Sequence, residues 1–201
     1  MIQKLTWPRA GAIVTGQVDK TTTWERQRGQ SLQHWGPKVI TPGNAGLREF
    51  RISDVAQVRR LIHRTLDISY SDVYRPRAVR FFKTFHSEAK ILRRHQEGEI
   101  LVVELDGKVI ATGAIVEDDI FGVFVDPDFQ HHGHGRALMH ELEARARSKG
   151  YREAVLSVSL PSRRFYESLG YTGFEDRAID LGDGEKLAFW HATKPLTAQD
   201  A

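Results

Sequence analysis

The chain has 201 residues, of which 40% are hydrophobic and 27% charged, with no cysteine and a formal net charge of +3 at pH 7. This length suits one domain with an extension, and the composition excludes a largely disordered, collagen-like or membrane-embedded chain. The lack of cysteine excludes disulfides, thiolate metal sites, cysteine nucleophiles and iron–sulfur clusters, and with no signal-like or membrane-spanning segment we expect a cytoplasmic protein.

The positive charge lies in the N-terminal part of the chain. Residues 1–45 hold six Lys or Arg and two Asp or Glu, whereas residues 46–201 hold 23 and 24. A main region close to neutral lacks the continuous cationic face that binds a phosphate backbone, so we expect no nucleic-acid partner. The pattern divides the chain into a basic extension at 1–45, whose structure is not predicted, a domain at 46–195 and a tail at 196–201.

Hydrophobic periodicity predicts strands and helices from residue 47 onward. In chain order these are a strand at 47–51, a helix after Ser53, two helical stretches beginning at Pro76 and after Ser87, strands at 100–105, 108–116 and 120–125, a helix at about 133–149, a strand at 154–159, a short helix at 161–169, and strands at 176–181 and 187–191. Asp106-Gly107 and Gly182-Asp183-Gly184 are typical of hairpin turns. This order predicts a three-layer α/β fold on a mixed sheet.

The segment from Val123 to Arg136 carries the most chemical information. A strand ends there, a loop follows, and a helix begins with Gly133 and Gly135 near its first turn. The start of a helix has unpaired N–H groups and a partial positive charge, which bind phosphate, and glycine lets the backbone approach the ligand closely. The pattern therefore predicts a pyrophosphate cradle.

Two other kinds of site compete for this segment. The dinucleotide fingerprint G-x-G-x-x-G is nearly met, but Leu138 stands at the third glycine, and the phosphate loop of nucleotide hydrolases is excluded because no Gly-Lys-Ser/Thr occurs. The second alternative is a transition-metal site, but the spacing of these histidines matches no recognised ligand pattern: His131, His132, His134 and His140. We therefore expect no functional metal.

The sequence Gln-x-x-Gly-x-Gly at 130–135 resembles the pyrophosphate loop of the GNAT superfamily of acyl-CoA-dependent N-acetyltransferases. A second segment, at 159–171, contains Phe-Tyr-Glu-Ser-Leu-Gly-Tyr and is similar to a later part of that family, where a strand end leads into a short helix. The resemblance covers residues 46–195. It implies an α/β, three-layer GNAT-like fold with a mixed, mostly antiparallel sheet, splayed central strands and helices on both faces.

The resemblance also implies how acetyl-CoA would be bound as cosubstrate. Strand residues would bind the acyl carbonyl and the pantetheine through main-chain N–H groups, and Gly122 fits a bulge or splay in that strand. Gln130 would orient the loop, and Arg136 would add charge near the adenosine end. The predicted cofactor-binding residues are Val123, Phe124, Val125, Gln130, His131, His132, Gly133, His134, Gly135 and Arg136.

Two side chains are predicted to be catalytic. Tyr166 matches a tyrosine that family members use to protonate the departing thiolate. Asp119 lies eleven residues before Gln130, where one branch of the family carries its catalytic Glu, and the alternative is that Asp119 and its acidic neighbours Glu117 and Asp118 form a solvated turn. Because the chain has no cysteine, the acetyl group would pass directly to the amine in a ternary complex.

The acceptor is predicted only as a small-molecule or peptide amine. The resemblance implies that residues 65–90 line its pocket, where these side chains suit an apolar or an anionic acceptor: Tyr70, Tyr74, Phe81, Phe82, Arg75, Arg77 and Arg80. The alternative function is a non-catalytic acyl-CoA-binding or regulatory module. A homodimer is left open, and we expect no membrane partner.

Overall fold

The computed structural model describes residues 45–196. The predicted extension and tail lie outside these residues, apart from Ala45 and Leu196, so their boundaries stay predictions. The elements in chain order are β1 (Gly46–Glu49), α1 (Val55–Ser69), α2 (Pro76–Phe85), α3 (Glu88–Glu97), β2 (Glu99–Leu105), β3 (Lys108–Val116), β4 (Asp119–Val125), α4 (His134–Ser148), β5 (Glu153–Ser159), α5 (Arg163–Glu167), β6 (Thr172–Gly182) and β7 (Glu185–Pro195). No helix within 45–196 is both long and apolar enough to span a bilayer.

The seven strands form one sheet in the order β1-β2-β3-β4-β5-β7-β6. Neighbouring strands are antiparallel except β4 and β5, which are parallel. Helices α1, α2 and α3 pack on one face, and α4 and α5 pack on the other. The predicted three-layer fold with a mostly antiparallel sheet is therefore confirmed.

Each face of the sheet has its own hydrophobic core, because successive side chains of a strand point to opposite faces. Leu66 of α1 and Ile91 of α3 are enclosed in the core on one face. Leu138 and Leu142 of α4 are enclosed with Leu156 of β5 in the core on the other face. The central strands are thus fixed from both sides, even where they do not pair with each other.

The observed elements differ from the predicted ones at the end of the domain. β6 begins at Thr172 instead of residue 176, because its register on β7 shifts at Gly173, where φ is +66° and the side-chain alternation is broken. The helix predicted at 161–169 consists of a 3-10 turn at Leu160–Ser162 and a short α-helix, α5. The two predicted hairpins are both present.

A buried carboxylate fixes the end of β4. Asp126 is 3% exposed. Its carboxylate accepts hydrogen bonds from Asp128 N at 3.1 Å, from Lys108 Nζ at 3.0 Å and from Arg64 of α1. One side chain therefore ties the loop after β4 to the helical layer and to the β2–β3 hairpin.

We expect Asp126→Ala to lower the free energy of unfolding by about 2 kcal/mol, because it removes the acceptor of a main-chain N–H and of Lys108, and one of the two carboxylates that bind Arg64. The matched control is Asp128→Ala, which removes an exposed partner of Arg64 and should cost less than about 1 kcal/mol. Urea denaturation of both variants measures the difference. Equal losses would show that Asp126 does not anchor this loop.

Candidate active site

The central strands separate after a short paired segment. Only Asp119 with Val155 and Ile120 with Leu156 are in register. Among residues 45–196 the rest of β4 has no strand partner on this side, while β5 continues to pair with β7. A gap therefore opens between β4 and β5 toward their C-terminal ends, which confirms the predicted splay.

Main-chain N–H groups of β4 point into this gap. Asp126 N donates to Ile110 O of β3 at 2.8 Å, and successive N–H groups point to opposite edges of a strand. The N–H groups of Val123 and Val125 therefore point away from β3. On the same edge, Val125 O accepts a hydrogen bond from Gln130 Nε2 at 3.1 Å, which ties the following loop to the strand.

A bulge in β4 precedes these donors. Thr112 of β3 is opposite Phe124, whereas Ala114 is opposite Phe121, so β4 takes three steps where β3 takes two. Gly122 lies in the bulge with φ of +65°, a backbone angle that favours glycine. Phe124, one of the predicted cofactor-binding residues, has its side chain buried in the core on the α1–α3 face.

The loop between β4 and α4 ends in a helix start without a side-chain cap. His131 and Gly133 both have left-handed backbone angles, with φ of +65° and +85°. The first helical hydrogen bond runs from Ala137 N to Gly133 O at 3.0 Å. The N–H groups before Ala137 have no acceptor within the helix, so they form an anion-binding surface.

The two glycines of the loop have different structural roles. A Cβ on Gly133 would meet no atom within 4 Å. A Cβ on Gly135 would lie 3.2 Å from Phe165 Cζ and 3.4 Å from Val125 Cγ2. Gly133 therefore leaves open space before the helix, which suits a diphosphate, whereas Gly135 allows close packing of α4 against α5 and β4.

Several polar side chains of the loop and of the start of α4 contact other groups of the protein. His132 Nδ1 lies 2.7 Å from Gln130 O, and the rings of His132 and His134 stack with centroids 6.3 Å apart. Burial, followed by the charge of His132, lowers the pKa of His134. Arg136 donates to Ser168 Oγ at 3.1 Å. Between residues 45 and 196 no group of three or more His, Asp or Glu side chains is arranged to hold a metal ion.

Tyr166 lies in α5, just beyond the C-terminal end of β5. Its side chain is 8% exposed and packs against the rings of Phe165 and Tyr171. Burial, and then the neighbouring Tyr70, raises the pKa of Tyr166, so its hydroxyl keeps its proton at neutral pH. Within residues 45–196 this hydroxyl has no hydrogen-bond partner, which leaves it available as a donor.

A short chain of hydroxyl groups lies near Tyr166. Tyr70 OH is 2.8 Å from Ser159 Oγ, and Ser159 Oγ is 2.8 Å from Ser162 Oγ. The sequence placed Tyr70 in an acceptor pocket, but its ring is in the core and its hydroxyl is engaged at the end of β5. Neither serine was singled out, since Ser-x-x-Ser after a strand is also an ordinary helix start.

Other residues predicted to line the acceptor pocket are buried or bound to the last hairpin. Tyr74 and Phe82 are buried, and Tyr74 OH donates to Ala188 O of β7 at 3.0 Å. Arg77 pairs with Asp183 of the β6–β7 hairpin at 2.7 Å. These contacts hold α2 against the last hairpin.

Asp119 lies at the closed end of the gap. Its side chain is 6% exposed, and it is in register with Val155 of β5. Ser159, at the open end of β5, is four residues further along, about 13 Å at the usual rise of a strand. Because Ile120 faces α4, Asp119 faces the α1–α3 layer. The proposed base and the proposed acid are thus near opposite ends of the gap.

Two buried polar residues beside the bulge were missed by the sequence reasoning. His86 is 4% exposed and Arg94 is 2% exposed. Arg94 Nη1 is 3.1 Å from His86 Nδ1, and a Cβ on Gly122 would be only 3.4 Å from His86 Cε1. This contact joins α2, α3 and β4, and no local pattern predicts it.

The titration of His86 gives a test of this packing. Burial, followed by the charges of Arg94 and His63, lowers the pKa of His86 well below its usual 6.5. The unfolded chain then binds more protons, so stability falls as the pH drops below 6.5. For His86→Asn we expect a shallower fall between pH 6.5 and 5, by up to about 1.4 kcal/mol per pH unit. Urea denaturation at several pH values measures the slope, and an unchanged slope would contradict the lowered pKa.

Comparison with known proteins agrees with this geometry. The acetyltransferase (GNAT) family profile matches residues 59–171. An amino-acid acetyltransferase of Azotobacter vinelandii (strain DJ) is 30% identical over an alignment of 114 residues, and the alignment covers 51% of this chain and 26% of that protein. The matched region thus spans about a quarter of that relative.

Solved structures show the same fold. A GCN5-related N-acetyltransferase from Rhodopseudomonas palustris has a TM-score of 0.66 at 22% identity, covering 75% of this chain and 95% of its own. The PaiA N-acetyltransferase of Thermoplasma acidophilum, solved with coenzyme A, has a TM-score of 0.59 at 18% identity, covering 75% and 98%. Since the family profile covers more than half of the chain, the protein belongs to the GNAT family of acetyltransferases.

Proposed function

We propose that this protein is an N-acetyltransferase that moves an acetyl group from acetyl-CoA to a primary amine by direct attack in a ternary complex. The observation that carries the proposal is the gap between β4 and β5, with two main-chain donors facing it and an uncapped helix start at its open end. A cytoplasmic location stays a prediction.

The residues of the gap fit coenzyme A. The N–H groups at the start of α4 would hold the diphosphate, and Gly133 leaves room before them. Acetyl-CoA would supply the acetyl group as a thioester. The N–H groups of Val123 and Val125 would bind its pantetheine and carbonyl oxygen, and such a main-chain donor lowers the barrier by about 3 kcal/mol.

Proton transfer would involve two side chains. The amine must lose a proton to become nucleophilic, and a carboxylate acting through water would accept it. Asp119 is our candidate, and its position at the closed end of the gap requires such a water-mediated path. As the new C–N bond forms and the C–S bond breaks, Tyr166 would donate its proton to the departing sulfur.

The acceptor would approach from the α1–α3 side of β4, opposite α4. The relative from Azotobacter vinelandii is named for amino acids, and this supports amino acids as the first acceptor class to test. A non-catalytic acyl-CoA-binding module is the alternative. Binding of acetyl-CoA without thiol release across a broad amine panel would favour that alternative.

We expect Gly133→Val to weaken coenzyme A binding at least tenfold, because the new side chain would occupy the space before the helix start. Gly150→Val is the matched control: it lies just beyond the other end of α4, has the same φ of +85° and likewise has no atom near a new Cβ. Both variants carry similar backbone strain, so only the first should lose affinity. Calorimetric titration measures this, and equal affinities would rule out the cradle.

We expect Tyr166→Phe to lower kcat for thiol release at least tenfold while acetyl-CoA affinity stays within twofold. Tyr171→Phe is the matched control. The ring of Tyr171 is buried next to that of Tyr166, but its hydroxyl lies near Glu143. A thiol-detection assay with an amine panel measures both variants. Equal rates for Tyr166→Phe and the unmodified protein would exclude Tyr166 as the proton donor.

A further inference from the structure

His86 and Arg94 form a buried, hydrogen-bonded pair on the α1–α3 side of β4, from which the acceptor is proposed to approach. His86 follows α2, and its ring packs edge-on against Phe124 at 5.1 Å. The guanidinium of Arg94 donates to Phe85 O at 2.6 Å and lies over the rings of Phe85 and Phe121. Aromatic rings thus hold both side chains in place.

The geometry fixes the tautomer of His86. A guanidinium can only donate hydrogen bonds, so Nδ1 of His86 is the acceptor in its contact with Arg94. A neutral imidazole then carries its proton on Nε2. Within residues 45–196 Nε2 has no partner, and it is not among the polar atoms that are fully enclosed without one. His86 therefore presents an unused N–H donor to accessible space.

Arg94 places a buried positive charge next to His86. Burial lowers the pKa of Arg94 to about 10, so it is still charged at neutral pH. Within 45–196 no carboxylate forms a salt bridge with it: Glu97 pairs with Arg93 and acts on Arg94 only through its charge, and Nε of Arg94 is enclosed without an acceptor. A buried cation without a directly paired carboxylate favours an anion nearby, and His86 Nε2–H is the group through which such an anion can be reached.

The position of His86 indicates where this anion would belong. Cε1 and Nδ1 of the His86 ring lie against Gly122, next to Val123, whose N–H is proposed to bind the acyl carbonyl, and Nε2 is bonded to Cε1. An oxygen bound at Nε2 would therefore lie on the side of β4 from which the acceptor is proposed to approach. The acyl oxygen already has a main-chain donor, so the group left for His86 is part of the acceptor.

We propose that His86, positioned by Arg94, donates from Nε2 to a carboxylate of the acceptor, and that this contact selects α-amino acids over amines without a carboxylate. This inference rests on the proposed acetyl transfer and specifies its acceptor class. His86 is then a residue that determines specificity, and Arg94 is a positioning residue.

The test compares each amino acid with the amine formed by removing its carboxylate, using the full chain and acetyl-CoA. We expect kcat/KM to favour the amino acid at least tenfold. His86→Asn keeps an acceptor for Arg94 but loses the donor at Nε2, so it should raise KM for amino acids at least tenfold and leave the amines unchanged. His86→Gln, which restores a donor near Nε2, should recover part of the affinity.

The control is His95→Asn, a half-buried histidine on α3 that packs on Phe50 away from β4. It should leave both acceptor classes unchanged. Three results would overturn the inference: no preference for amino acids in the unmodified protein, an unchanged KM in His86→Asn, or an equal loss of kcat for both acceptor classes, which would indicate contact with the acyl oxygen.

A second measurement does not need turnover or a folded variant. Histidine-ring ¹H–¹⁵N spectra of the unmodified protein should show His86 protonated on Nε2, and its signal should shift on addition of an amino acid but not of the matched amine. If coenzyme A neither binds nor is released, the proposed function fails, while this titration still reports carboxylate binding. A His86 signal that does not respond to amino acids overturns the inference separately.

Discussion

The short pairing between β4 and β5 is the constraint on which the rest of the site depends. Two register pairs hold these strands together, and beyond them the N–H groups of Val123 and Val125 meet no strand in the described part of the chain. Unpaired main-chain donors inside a fold are costly. β4 contributes Phe124 to one core and Ile120 to the other, so packing on both faces holds its unpaired donors in place for the proposed ligand.

The two faces of β4 present different groups, which suit the proposed binding of acetyl-CoA on one face and of the acceptor on the other. On the α4 face lie the helix start and its glycines, which suit a diphosphate. On the α1–α3 face lie the aromatic cluster of Tyr70, Tyr74 and Phe82 and the buried His86–Arg94 pair. Asp126 connects both faces, since its carboxylate fixes the loop before α4 and also binds a residue of α1.

Local signals predicted much of this structure. The Gln-x-x-Gly-x-Gly loop, the hairpin turns and the helix start depend on neighbouring residues, so sequence spacing was enough to place them. The contact of His86 with Gly122 and that of Tyr70 with Ser159 join distant parts of the chain, and neither leaves a local pattern. The resemblance to the GNAT family implied Asp119 as a base, at its position eleven residues before Gln130, but only strand register shows that it lies at the closed end of the gap.

The bulge at Gly122 has a consequence for how this site can change over time. The donors that follow it belong to the peptide backbone, so mutation of Val123 or Val125 alters the side chains but keeps the N–H groups. Side chains of α1, α2 and the residues around His86 can therefore change while the main-chain donors proposed to hold the acyl group stay in place. The fold itself is shared with solved structures that are only 18–22% identical.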